Sequence, residues 1–236
     1  LLVGAAGDDT VDGGAGNDTA QFSGNIADYN VRIDDDTLTV SDLRGGTPDG
    51  TDTLTNVEYL QFDDRTIDVS NYIAALAGTT NGTTGDEAII GDGSGNTING
   101  SDGADLIIGA DGADIIDGGA GADEIRGDDG DDTITGGAGD DLISGGTGSD
   151  TAIFPGNFAD ATVEVDGNGN ILVTTALGGT DTVNGIEYLQ FDDRTIDIDP
   201  YIEAFTGTTN GTAASDVMIG SANANTMNGG DSADLI

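Results

Sequence analysis

Ten aspartates occupy one fixed place in a pattern nine residues long: Asp9 and Asp18, then Asp105, Asp114, Asp123, Asp132, Asp141 and Asp150, then Asp216 and Asp234. Carboxylates at fixed spacing can pair with bases, hold an oxygen-seeking metal or move protons, and the remaining composition narrows the choice. The 236 residues carry 45 Asp+Glu against 5 Lys+Arg, for a net charge of −40, with no histidine and no cysteine. All five basic residues are arginine, far too few to neutralise the acids or to form a phosphate-binding surface, which excludes a nucleic-acid partner. Without histidine or cysteine there is no zinc site of the usual kinds, no disulfide framework and no Ser-His or Cys-His nucleophile. No apolar run reaches the roughly 18 residues that a membrane span needs. Glycine fills 41 positions and aromatics make up 5% of the chain. Such a composition favours disorder, unless something outside the sequence neutralises the aspartates.

The segments that position these residues repeat. From Gly82 the chain reads GTTGDEAII, GDGSGNTIN, GSDGADLII, GADGADIID, GGAGADEIR, GDDGDDTIT, GGAGDDLIS and GGTGSDTAI, eight nonapeptides in phase up to Ile153. Two more lie at 4–21, and GTAASDVMI, GSANANTMN and GGDSADLI fill 211–236. The shared pattern is G-G-x-G-x-D-x-U-x, with the aspartates at the sixth place. The apolar U at the eighth is filled by Ile89, Ile98, Ile107, Ile116, Ile125, Ile134 and Ile143. An acidic solvated linker would not keep isoleucine in phase. Glu87 stands where the others carry Asp or Asn; Asn96 and Asn225 lack a carboxylate and the turns at 91–96, 211–216 and 220–225 depart from GGxG, so weak or empty positions are expected there.

On these residues the chain resembles the RTX (repeats-in-toxin) family of calcium-binding nonapeptide repeats, over about half of its length. The resemblance implies an all-β chain. Each nonapeptide is a glycine-rich turn plus a short strand, two make one coil of a right-handed parallel β-roll, and Ca²⁺ sits between stacked turns. Asp105, Asp123 and Asp141 would then line one edge, and Asp114, Asp132 and Asp150 the other, with turn carbonyls completing each shell. On that geometry, residues eighteen apart fall on adjacent coils about 4.8 Å apart. Two carboxylates so placed repel by about 3 kcal/mol at an effective dielectric near 20. A hard cation taking about six to eight oxygens reverses the sign. Each nonapeptide buries one large apolar side chain, worth only about 2–3 kcal/mol, so the rolls are expected to be disordered without calcium and to fold when it binds.

Two similar stretches separate the arrays. EYLQFDDRTID occurs identically at Glu58–Asp68 and Glu187–Asp197. The organisation expected is a partial roll at 1–21, a β-rich spacer at 22–81, a roll at 82–153, a second spacer at 154–210 and a partial roll at 211–236. Alternation in YNVRI, TLTV and VEYLQF predicts strands, and the DDR turn predicts a hairpin. A helical turn is expected after it, capped by Ser70 or by Asp199-Pro200. Asp63 and Asp64 with Glu58, and Asp192 and Asp193 with Glu187, have the composition of a glycosidase pair. Nothing beside them raises a pKa or positions a sugar, so a turn capped through Arg65 and Arg194, or an extra calcium ligand, is the expectation.

Catalysis is not expected of this chain. Repetition favours an extracellular, calcium-stiffened structural region, such as an adhesin stalk, surface-layer component or filament subunit. The alternative is the secretion-and-folding region of an exported RTX enzyme whose catalytic domain lies elsewhere. Because the chain starts and stops within a nonapeptide, a window on a longer bacterial array is expected. Its coils would stack on further repeats or on another copy, head to tail.

Overall fold

The computed structural model describes residues 1–198, apart from 5, 35–36, 45–48, 70–72, 76–78 and 167–168, together with the strands at 208–210 and 226–228. The chain is nearly all β, with two short 3₁₀ turns at Ile26–Asp28 and Phe158–Asp160. The nonapeptides build a parallel β-roll. Strands Ala88–Gly91, Leu106–Asp111, Glu124–Asp129 and Leu142–Thr147 pair in parallel in one sheet. The intervening Thr97–Asn99, Ile115–Ala120, Thr133–Ala138 and Thr151–Ile153 pair in a second. Register is eighteen residues throughout, as in Ile107↔Ile125 and Ile116↔Ile134. Side chains alternate across a strand, so one residue per nonapeptide faces inward. Ile89, Ile98, Ile107, Ile116, Ile125, Ile134 and Ile143 accordingly form a column, each at most 1% exposed.

Antiparallel strands follow the parallel coils. In the second spacer Thr162–Val165 and Ile171–Thr175 form a hairpin that extends the first sheet beyond Gly179–Asn184. Thr195–Asp197 turns back on Tyr188–Gln190 around the Asp-Asp-Arg turn. The first spacer does the same with Tyr29–Asp34, Thr37–Asp42, Thr51–Thr55, Tyr59–Gln61 and Thr66–Asp68. The helical turns expected at Ser70 and Asp199-Pro200 lie outside the described residues, as do the aspartates Asp216 and Asp234.

Between the antiparallel strands and the coils the winding continues without a break. Thr51–Thr55 pairs in parallel with Thr10–Asp12, and Tyr59–Gln61 with Thr19–Gln21. Gly179–Asn184 likewise pairs with Leu142–Thr147, and Tyr188–Gln190 with Thr151–Ile153. Each spacer is therefore a hairpin inserted into the roll, followed by two further strands of that roll.

The first spacer also packs against the following roll. Tyr29, Val31 and Ile33 share a buried cluster with Ala88, Ile90 and Ile108. Three of the five arginines cross this contact. Arg126 donates to the backbone carbonyls of Ile26 (3.1 Å) and Tyr29 (2.9 Å), Arg32 pairs with Asp111 at 2.7 Å, and Arg65 pairs with Glu124.

Candidate metal centre

Glycine-rich turns bring the sixth-place aspartates into two columns. In each column the backbone N–H of one aspartate donates to Oδ1 of the aspartate one coil on. Asp105 donates to Asp123 at 2.8 Å, and Asp123 to Asp141 at 2.9 Å. On the other edge Asp114 donates to Asp132, and Asp132 to Asp150, both at 2.8 Å. The two triplets that the family resemblance implies are thus the triplets that stack. All six are at most 3% exposed.

Only one oxygen of each carboxylate is satisfied. Oδ2 of Asp9, Asp105, Asp114, Asp123, Asp132, Asp141 and Asp150 is buried without a hydrogen-bond partner. A buried, unpaired charge costs several kcal/mol, and the titration of the six stacked aspartates reflects it. Burial, with a smaller contribution from neighbouring acids and against the opposing pull of the donated N–H, lifts Asp114 to about 7 and Asp105, Asp132 and Asp150 to about 6. Asp123 and Asp141 are raised for the same leading reason.

The turns supply further oxygen. A Cβ added at Gly121 would lie 1.5 Å from the carbonyl oxygen of Gly103, and one at Gly139 would lie 1.6 Å from that of Gly121. Both glycines have positive φ, 148° and 140°. Only glycine allows this conformation and this approach together, so successive turns present carbonyls to one another at the level of the aspartates. Among the described residues no group of three or more acidic side chains converges to hold an ion alone. A cation between these turns would take one or two carboxylates and several carbonyls, an all-oxygen shell suited to Ca²⁺.

The outlying positions differ. Asp9 donates its N–H to Asp52 at 3.0 Å, and Asp18 donates to Glu58 at 2.7 Å; both aspartates are half-buried. Asn96 is buried but self-satisfied, its amide bonded to Asp92. Glu87 folds back onto Thr83.

Four acids outside the nonapeptides join the columns: Asp52, Glu58, Asp181 and Glu187. Asp141 donates to Asp181 at 3.0 Å, and Asp150 to Glu187 at 2.7 Å, as the aspartates donate to one another. Burial again lifts Asp181 to about 7 and Asp52 to about 6. The signal was present in the sequence, since Asp52-Thr-Leu54 and Asp181-Thr-Val183 repeat the D-x-U core of the nonapeptide. The paired aspartates of the two Asp-Asp-Arg turns instead cap turns. Asp63 and Asp64 accept from the N–H groups of Gly24 and Ile26, and Asp192 and Asp193 from those of Gly156 and Phe158. Arg194 bonds Asp193 at 3.1 Å.

Comparison with known proteins follows this geometry. A family model described as the RTX calcium-binding nonapeptide repeat (four copies) matches residues 1–20, 81–116, 90–125, 117–152 and 210–236. No curated protein matches the chain. Among solved structures, the extracellular lipase LipA from Serratia marcescens aligns at 15% identity with a TM-score of 0.25, over 78% of this chain and 36% of that one.

Proposed function

The chain belongs to the RTX calcium-binding nonapeptide repeat family, and from that premise we propose that it is a structural segment of an extracellular bacterial protein, folded and stiffened by Ca²⁺. The observation that carries this reading is the row of buried, unpartnered aspartate oxygens between stacked turns. Protein alone leaves those charges uncompensated, and divalent ions between the coils compensate them. Location follows from affinity: carbonyl-rich sites of this kind match the millimolar calcium outside cells and stay empty at cytosolic levels. Among the described residues no helix is long and apolar enough to cross a membrane. The role is mechanical rather than catalytic, since the spacer acids that resemble a hydrolytic pair are spent on backbone N–H groups. Association between copies belongs to the same reading. The sheets of the central roll begin at Ile73–Ala75 and Thr79–Asn81, strands with an unpaired side among the described residues.

Far-ultraviolet circular dichroism during a calcium titration tests the reading. The expected result is a coil spectrum in chelator that turns to β-structure at millimolar calcium, with sedimentation velocity reporting association in the same samples. A full β spectrum in excess chelator would overturn it.

A further inference from the structure

We infer that each spacer carries a divalent-cation site of its own, at the junction where the inserted hairpin rejoins the roll: one between Asp141 and Asp181, the other between Asp9 and Asp52. This rests on the calcium reading of the arrays and extends it to segments that the family model does not match.

The segment 176–184 reads ALGGTDTVN and stacks on the turn of 136–144 as a further nonapeptide would. The Gly139 N–H donates to the Gly178 carbonyl (2.8 Å), as Gly121 donates to Ala138 one coil earlier (2.8 Å). Val183 pairs with Ile143. Gly179 adopts φ 92°, and a Cβ there would lie 2.3 Å from the Gly139 carbonyl oxygen. The donors between these turns match those of the array. Oδ2 of Asp141, a residue 3% exposed, has no hydrogen-bond partner. Asp181, 2% exposed, faces it across the rung. A Cβ at Gly178 would lie 3.2 Å from the Gly137 carbonyl and 3.5 Å from Asp181 Oδ2.

The first spacer repeats the arrangement. Asp9 Oδ2 is buried and unpartnered, and it converges with Asp52 Oδ2 on Gly4, at 3.4 and 2.9 Å from a Cβ placed there. Gly50, φ 81°, sits over the Gly7 carbonyl at 2.6 Å by the same measure. The N–H of Thr51 bonds Asp8 and that of Thr180 bonds Asp140, so the two junctions agree in detail.

The rung after each junction is different. Gly185-Ile-Glu187 and Asn56-Val-Glu58 reach the acid in three residues where a nonapeptide takes six. The loop that offers turn carbonyls is missing, and the longer glutamate serves to close the column. By this reading those rungs hold no ion of their own, and the unpartnered Oδ2 of Asp150 serves the rung it shares with Asp132.

The test is ion stoichiometry by native mass spectrometry on the full chain in calcium. Asp52→Asn and Asp181→Asn keep the Oδ1 acceptor and lose the charge, and each is expected to lower the count by one ion, the double variant by two. Asp63→Asn and Asp192→Asn, at the Asp-Asp-Arg turns outside the columns, are expected to leave it unchanged. Hydrogen exchange of the unsubstituted chain gives an independent reading, with amides at 49–53 and 178–183 gaining protection on calcium addition together with those at 136–141. Unchanged counts in both the Asp52→Asn and Asp181→Asn variants, or calcium-independent protection at the junctions, would overturn the inference while leaving calcium binding by the arrays intact. A chain that binds no calcium would overturn both.

Discussion

At the scale of the residue, the aspartate column is a liability that becomes a function. Carboxyls that titrate near 6–7 in the fold and near 4 in an unfolded chain hold protons more tightly when folded. Their contribution to the metal-free fold is complete below about pH 4 and is lost as pH rises through 6–7. Acidifying a chelated sample from pH 8 to 5 should therefore increase its β-structure by circular dichroism. In calcium the sign reverses: protons compete with the ion, and the calcium midpoint rises as pH falls below 7. Glycine offers a second check by urea unfolding in calcium. Gly169 has φ 93° and nothing within 4 Å of an added Cβ, so Gly169→Ala carries only the left-handed penalty of about 1–2 kcal/mol. Gly121→Ala meets the fixed Gly103 carbonyl as well and should cost roughly 3 kcal/mol or more.

At the scale of the element, Arg126 ties the first spacer to the roll that follows. Its guanidinium bonds two carbonyls of the spacer and pairs with Asp128 at 2.7 Å, with both side chains nearly buried. Arg126→Ala strands the Asp128 charge and should destabilise the chain by about 3–5 kcal/mol. Adding Asp128→Ala should recover part of that loss in the same urea transition, because the orphaned charge goes with it. Arg126 occupies the ninth place of a nonapeptide, and no local pattern in the sequence marks that place as an interface. The column of isoleucines and the aspartate triplets were legible because each depends on a short fixed period, and the Asp-Asp-Arg hairpins because a turn sits between two alternating stretches. The junction coils at 49–55 and 176–184 were harder to read, since an inserted hairpin breaks the phase and leaves only Gly50, Asp52 and Leu54, or Gly179, Asp181 and Val183, to mark them. Glu58 and Glu187 invited a chemical reading, yet their chain length serves to span a shortened turn.

At the scale of the whole molecule, rolls and inserted hairpins alternate, and on the proposed reading calcium sets the size of the folded part. Small-angle scattering should show the radius of gyration falling on calcium addition, toward that of a folded chain from that of an unfolded one. The two sheets receive successive nonapeptides in turn, and each closing hairpin is matched to one of them: Thr162–Val165 and Ile171–Thr175 continue the sheet containing Leu142–Thr147, and Thr195–Asp197 the sheet containing Thr151–Ile153. Roll length is therefore quantised in pairs. Excising 127–144, two nonapeptides, should leave a shorter chain that still responds to calcium by circular dichroism. Excising 127–135 alone should not, because it delivers each lid to the opposite wall. Such an array can lengthen or shorten over generations only by even steps, a parity rule written into where its hairpins begin.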